Sequence, residues 1–508
     1  MNQKALSDLM PSSITKSDKQ ESLSGSEDRN RDGDGQDFTE EELLNYQIDP
    51  EEKKRLLRKL DSFIAPVLII LYLIAFLDRS NIGNASVGGM TTALHLPPEG
   101  LSVATSIFYA TYVSFEVPMT TFLKSLRASR LIPSVVILWG TSVMASAWMR
   151  NYAGLIATRL VLGMLEAALT PCLFLWITAF YQRDELARRQ AFLFVSAALS
   201  GVVGGLIAAG LLKMDGLAGM QGWQASWLYC IEGVVTIVIG IISIPFVPDS
   251  YEDAWYLNKR EKFLMRVREV QSREYMGDTA FSWGEVRKAF TDPVIYLSGF
   301  VQMGLDTCLY GFSTFLVVII NQFGYNSIQS QLLTAPIYFW AAFVYFIGAL
   351  TSDKYNKRFW LIFPLSGVTC IGYAILIAVR APVGVLLFAC FITGTGIYIS
   401  VGLSVTWISV NIAGYRKRST AVGLQQMLGN SGGIIAGQIY RSVDKPYYRL
   451  GHSISLGAMV LAMMGMVVEV LIYKSRNNAK DRMTEEEKRK QDVDGVTGDR
   501  HHSFRQVW

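Results

Sequence analysis

Four ionisable residues stand inside stretches apolar enough to enter a lipid bilayer. Asp78 and Arg79 are adjacent in AFLDRSNIGNA, just after the apolar run FIAPVLIILYLIAFL. Arg159 and Glu166 share TRLVLGMLEAALTPC. Each such charge costs roughly 2.5–3.5 kcal/mol on insertion scales, so its presence marks a task. Arginine stays protonated under all relevant conditions. A desolvated carboxyl group can bind a proton in one state and release it in another. Protonating Asp78 or Glu166 would leave an arginine without its partner, and the carboxylate of a substrate could then take the vacant place in a bidentate pair. The residues thus suggest proton coupling at Asp78 and Glu166 and anion binding at Arg79 and Arg159.

Other polar positions in apolar blocks extend this set. Tyr109 and Tyr112 are candidate cavity aromatics. Gln302, Asp306 and Tyr310 in QMGLDTCLYGF, and Asn430 in LQQMLGNSGG, are candidate substrate contacts. Glu116, beside Pro118 in FEVP, is expected to be structural or to gate. Glu232 in WLYCIEG is expected to make a helix–helix contact.

These residues need helices to hold them. A bilayer-spanning helix takes about 20 mostly apolar residues. Twelve stretches qualify, near 62–84, 101–123, 131–149, 153–179, 189–212, 224–247, 293–320, 330–351, 358–379, 382–408, 419–440 and 452–473. They fall six and six about a charged, helix-prone segment. The expected organisation is a disordered cytosolic tail (1–60), a six-helix half (61–247), a cytosolic linker (248–291), a second six-helix half (292–475) and a cytosolic C-terminal tail (476–508). At about 1.5 Å per residue, Asp78 lies on the order of 24 Å above the inner end of the first span. Arg159 enters at a similar level from the other side. Glu166 lies about 10 Å further along the same face of its helix. Asp78 and Arg79 point about 100° apart, as neighbours on a helix must.

Orientation follows from lysine and arginine near the span ends. With the N-terminus inside, the inward flanks carry 17 such residues, among them Lys124, Arg183, Arg188 and Arg416, and the outward flanks six, Lys213 and Arg380 included. The linker adds eight more inside, so both termini are read as cytosolic. The loop SDKYNKR, with Asp353, echoes LKSLRASR at the matching place in the first half.

Bulk composition agrees with a polytopic all-α membrane protein. Of 508 residues 51% are hydrophobic, and the net charge of +4 is too small for a nucleic-acid-binding surface. The five cysteines all lie in apolar blocks, which argues against a disulfide framework. Without a Cys/His cluster, a phosphate loop or a nucleophile–base pair, neither a metal, a cofactor nor an enzymatic activity is expected.

The blocks FLDRSNIGNA, RLVLGMLEAALTPC and WISVNIAGYRKRSTAVGLQQMLGNSGG together resemble the anion:cation symporter family of the major facilitator superfamily, in its fungal allantoate permease-like branch. The likeness covers about residues 60–475. It implies twelve helices in two halves that rock about a central site. It also implies that Asp78, Arg79 and Glu166 serve proton coupling and organic-anion binding, and that Arg159 is the family's span-4 arginine. The substrates implied are small carboxylates such as nicotinate, pantothenate, biotin or allantoate. A monomeric, proton-coupled importer of a fungal plasma membrane is the resulting expectation, with an efflux or endomembrane carrier on the same fold (endoplasmic reticulum or vacuole) and a non-transporting nutrient receptor as the alternatives.

Overall fold

A computed structural model describes residues 38–211, 226–276, 283–355, 357–378, 382–413, 415–493, 499, 501, 502 and 504–507. The first 37 residues of the expected tail, linker residues 277–282, Lys213 and Arg380 lie outside the described residues, as do the side chains of Lys124, Arg183, Arg188, Asp353 and Arg416. The chain divides into two compact units, Met1–Leu60 with Ser250–Asp278, and Asp61–Asp249 with Thr279–Trp508.

In the smaller unit, Thr39 and Glu42 form a reciprocal capping box that starts the helix Glu40–Asn45. Phe38, Tyr46 and Phe263 pack ring to ring at 5.1–5.8 Å. Gln271, in the helix Lys259–Met276, donates to the Tyr46 carbonyl at 2.7 Å. Lys59 pairs with Glu261 at 2.7 Å. A tail without structure up to residue 60 is therefore not observed over its last third. Its charges face outward, while Leu43, Leu56 and Leu60 are buried.

The larger unit contains the spans, the first of them from Asp61 onward. Among the described residues, ten helices are long and apolar enough to cross a membrane. Two further long helices, Gly100–Leu126 and Tyr415–Ile439, occupy the places of the expected second and eleventh spans. They are the more polar because they meet each other between the halves: Ser106 donates to the Ile434 carbonyl at 2.9 Å, and Gln438 to the Ser106 hydroxyl at 2.8 Å. The remaining spans are Pro50–Ala85 (span 1), Ala128–Ala145 (3), Tyr152–Glu166 with Leu169–Ile177 (4), Arg183–Leu211 (5), Ser226–Ser243 (6), Pro293–Gln322 (7), Ser327–Tyr355 (8), Phe359–Ala378 (9), Val383–Asn411 (10) and Arg449–Asp481 (12).

Span 4 breaks directly after Glu166. Pro171 has no N–H to donate, and its ring clashes with the carbonyl four residues back, at Ala167. Span 7 starts cleanly because Asp292 caps it, accepting from the Val294 N–H, and Pro293 occupies the first helical position.

The halves meet at the end away from the chain termini. Gln331 donates to the Asn84 carbonyl at 3.2 Å, and Ser327 to the Val87 carbonyl at 2.9 Å. Gly83 lies so close to the Thr314 carbonyl that a Cβ would collide with it. Beneath them Phe315, Val318, Ile439, Tyr440 and Tyr448 form a buried cluster reached by Val87 and Leu101. This end is closed.

At the other end the C-terminal segment is held in place by two asparagines. Asn411 both donates to and accepts from the backbone of Val507, at 2.9 and 2.8 Å. Asn477 does the same with Gln506, at 2.8 and 3.1 Å. Successive residues of an extended chain turn their N–H and C=O to opposite sides, so spans 10 and 12 grip the segment from both.

Candidate functional site

Span 1 carries Asp78 and Arg79 around its circumference in different directions, and each meets a different set of partners. Arg79 turns to the centre. Its Nε donates to Glu166 Oε1 in a buried ion pair. Its guanidinium carbon lies 4.8 Å from the ring centroid of Phe76 and 4.7 Å from that of Tyr112, with Phe108 and Tyr310 at 5.9 and 6.0 Å. Four ring faces around one guanidinium supply cation–π attraction while excluding water, which strengthens the ion pair. Glu166 Oε2 has no hydrogen-bond partner, and neither does the Tyr109 hydroxyl.

Tyr109 and Tyr310 bring the two halves together, their ring centroids 4.5 Å apart. The Tyr310 hydroxyl donates to Asn430 Oδ1 at 2.6 Å, and Asn430 Nδ2 donates back across the halves to Glu116 at 3.1 Å. Tyr112 bonds the Thr170 hydroxyl at 3.2 Å. This aromatic chamber has one fixed cation, paired with a carboxylate whose second oxygen is unoccupied, and phenol and amide groups arranged around it.

Asp78 turns the other way, into the first half. It accepts from the indole N–H of Trp139 at 2.6 Å and from Asn81 at 3.4 Å. Asn81 also donates to Glu232. Arg159 donates to the Tyr229 hydroxyl at 3.0 Å, and Asp78, Arg159 and Tyr229 line one small cleft with Leu155, Thr158 and Leu162. The expected set of two arginines and two carboxylates therefore resolves into two clusters. Arg79 and Glu166 are ion-paired, whereas Arg159 is hydrogen-bonded to a phenol.

A sequence-family model described as the Major Facilitator Superfamily matches residues 68–437. The chain belongs to this superfamily. An uncharacterized transporter of Schizosaccharomyces pombe is 41% identical over 440 residues, covering 87% of each chain. The high-affinity nicotinic acid transporter of Saccharomyces cerevisiae is 35% identical over 435 residues, covering 84% of this chain and 79% of that one. A crystal structure of a bacterial homolog of the human lysosomal transporter Spinster, inward-facing and occupied, shares the fold with a TM-score of 0.61 at 17% identity, over 84% of this chain and 98% of that one.

Within this major facilitator chain, Arg79, Tyr109, Tyr112, Glu166, Tyr310 and Asn430 converge on the chamber. Gln302 and Asp306 bond each other at 3.2 Å on span 7 and face span 11, where a Cβ on Gly429 would stand 2.5 Å from the Asp306 carboxylate. Asp78 and Arg159 lie in the neighbouring cluster. Sequence reasoning passed over Phe76 and Phe108, although Phe76 precedes Arg79 by three residues and Phe108 precedes Tyr112 by four, the spacings that share a helix face. Glu116, expected to be structural or to gate, accepts from Asn430 of the other half, a partner distant in sequence.

Proposed function

We propose that this major facilitator transporter imports a small organic anion together with protons, and that its substrate is a flat monocarboxylate of the nicotinate kind. The observation that carries this reading is the buried Arg79–Glu166 pair inside its aromatic chamber. A protonated Glu166 gives up its claim on Arg79, and a substrate carboxylate replaces it. Aromatic faces on both halves then stack on the substrate ring. Because the coupling free energy is reciprocal, proton and anion each favour the other's binding. The likeness to a nicotinic acid transporter, at 35% identity, supports the substrate class. The lysine and arginine bias supports cytosolic termini, and the plasma membrane is the location proposed.

The test uses purified protein in liposomes with a pH-sensitive dye trapped inside, wild type beside Glu166→Gln. Nicotinate and other small carboxylates are added one at a time. The glutamine still offers Arg79 an oxygen acceptor but takes no proton. Lumen acidification in wild type, lost in the variant while labelled nicotinate still exchanges, is the expected result. Entry of label without acidification in wild type would overturn the coupling. Accumulation of label driven by an inside-acid gradient, as exchange against protons requires, would overturn the direction.

A further inference from the structure

Glu232 on span 6 lies outside the Arg79 chamber, and its surroundings suggest a role of its own. Its side chain is buried, and Oε2 accepts from Asn81 Nδ2. Glu232 Oε1 has no donor, and Asn81 Oδ1 has none either. Two acceptors on groups already held side by side, both buried and both unsatisfied, are expensive, because each has given up its water without gaining a donor. One proton on Glu232 Oε1 satisfies both by donating to Asn81 Oδ1. A carboxylic acid and a primary amide then face each other with one hydrogen bond running each way.

The charges around Glu232 agree. Span 1 presents Asp78 and Asn81; span 4 presents Arg159; span 6 itself presents Tyr229, which Arg159 bonds; span 3 presents the neutral Trp139. Among the described residues, the charged side chains of span 5 sit near its start, at the opposite end from this cluster. The cluster therefore holds two carboxyl groups and one arginine, since Arg79 is engaged by Glu166. Two buried carboxylates against one cation leave an uncompensated negative charge in a low-dielectric interior, which neutralisation of one carboxyl removes.

We infer that Glu232, with Asn81 as its positioning residue, is a proton-binding site of this transporter, separate from the anion chamber and connected to Asp78 through the Asn81 amide. The inference rests on the proton-coupled reading above and deepens it. Span 1 carries Asp78 and Asn81 on one side and Arg79 on the other, so the proton state of the Glu232 cluster is coupled to the anion site through a single rigid helix. Asp78 already accepts from two donors, Trp139 and Asn81, and Glu232 takes the proton.

Infrared spectroscopy of the full-length protein in liposomes tests the site without any substrate. Wild type at neutral pH is expected to show the carbonyl band of a protonated carboxylic acid that disappears in Glu232→Gln. In the same liposomes, added nicotinate acidifies the lumen in wild type and not in Glu232→Gln, whereas exchange of labelled nicotinate survives. Asn81→Ala, which removes the acceptor for the proton, is expected to weaken the band and the acidification together. An unchanged band in Glu232→Gln overturns the site. A lost band with acidification at the wild-type level overturns its part in coupling. Should Glu232→Gln fail to assemble, absence of any protonated-carboxyl band from wild type overturns the inference directly. Wild type that carries nicotinate without protons instead overturns the coupled reading, whatever Glu232 does.

Discussion

Arg79 is constrained by shape as well as charge. Its planar group lies against Phe76 and Tyr112 while its Nε donates to Glu166. Lysine in its place keeps the charge opposite Glu166 but loses the plane, the fork of donors and most of the stacking. Arg79→Lys is therefore expected to reach the membrane in normal amount and to lose at least about tenfold in labelled nicotinate uptake, a change equivalent to about 1.4 kcal/mol. Uptake normalised to surface protein is the measurement. Wild-type uptake in that variant would show that any cation suffices and that the aromatic chamber does not position the anion. Alanine is a poorer probe, since it strands a buried Glu166 and can cost 3–5 kcal/mol of stability.

At the scale of elements, small residues set which helices can approach. Gly83 on span 1 meets the Thr314 carbonyl of span 7, and a Cβ on Gly205 of span 5 would stand 2.8 Å from the Gln331 carbonyl of span 8. Both are crossings between the halves at the closed end. A leucine at Gly83 cannot be accommodated by a side-chain shift, because the obstacle is backbone. Gly83→Leu is expected to hold that end open. A reporter cysteine replacing Ser327, whose hydroxyl bonds Val87 in the closed form, should react faster with a membrane-impermeant thiol reagent when Gly83→Leu is present. Equal labelling in both backgrounds would mean that this crossing does not govern closure.

At the scale of the molecule, the second half is tied together where its helices start and end. Asp292 caps span 7 and accepts from Arg476 of span 12 at 2.8 Å and from Lys417 of span 11 at 3.1 Å. Lys417 also bonds Asp499 of the C-terminal segment at 2.7 Å. Burial raises the affinity of the Asp292 carboxyl for a proton, but Arg476 and Lys417 more than offset it and hold the group below the usual carboxylate range. A depressed carboxyl contributes stability above its unfolded value and loses it as pH falls through the folded one. Asp292→Asn is expected to cost on the order of 1–3 kcal/mol at neutral pH, as loss of hydrogen bonds to a charged group does. Thermal melts should show this gap closing only below the ordinary carboxylate range. A gap that vanishes at mildly acid pH, or is absent at neutral pH, would contradict the assignment.

Local sequence was enough to establish the membrane class and the helical spans. Apolar run length and the cost of a charge in lipid are properties of short stretches, so they can be read without knowing the fold. The fourth span, expected unbroken over 153–179, is interrupted after Glu166, although Pro171 acts only four residues back and so lay within local reach. Pairing could not be read that way. Arg79 met Glu166, and Arg159 met a phenol instead of a carboxylate, because two neighbours on one helix point about 100° apart and the fold chose which side each helix shows to the centre. Glu116 found Asn430 from the other half, and Val507 found Asn411 from almost a hundred residues away. Those partners depend on how the helices cross, and crossing is set by the packing of the whole bundle.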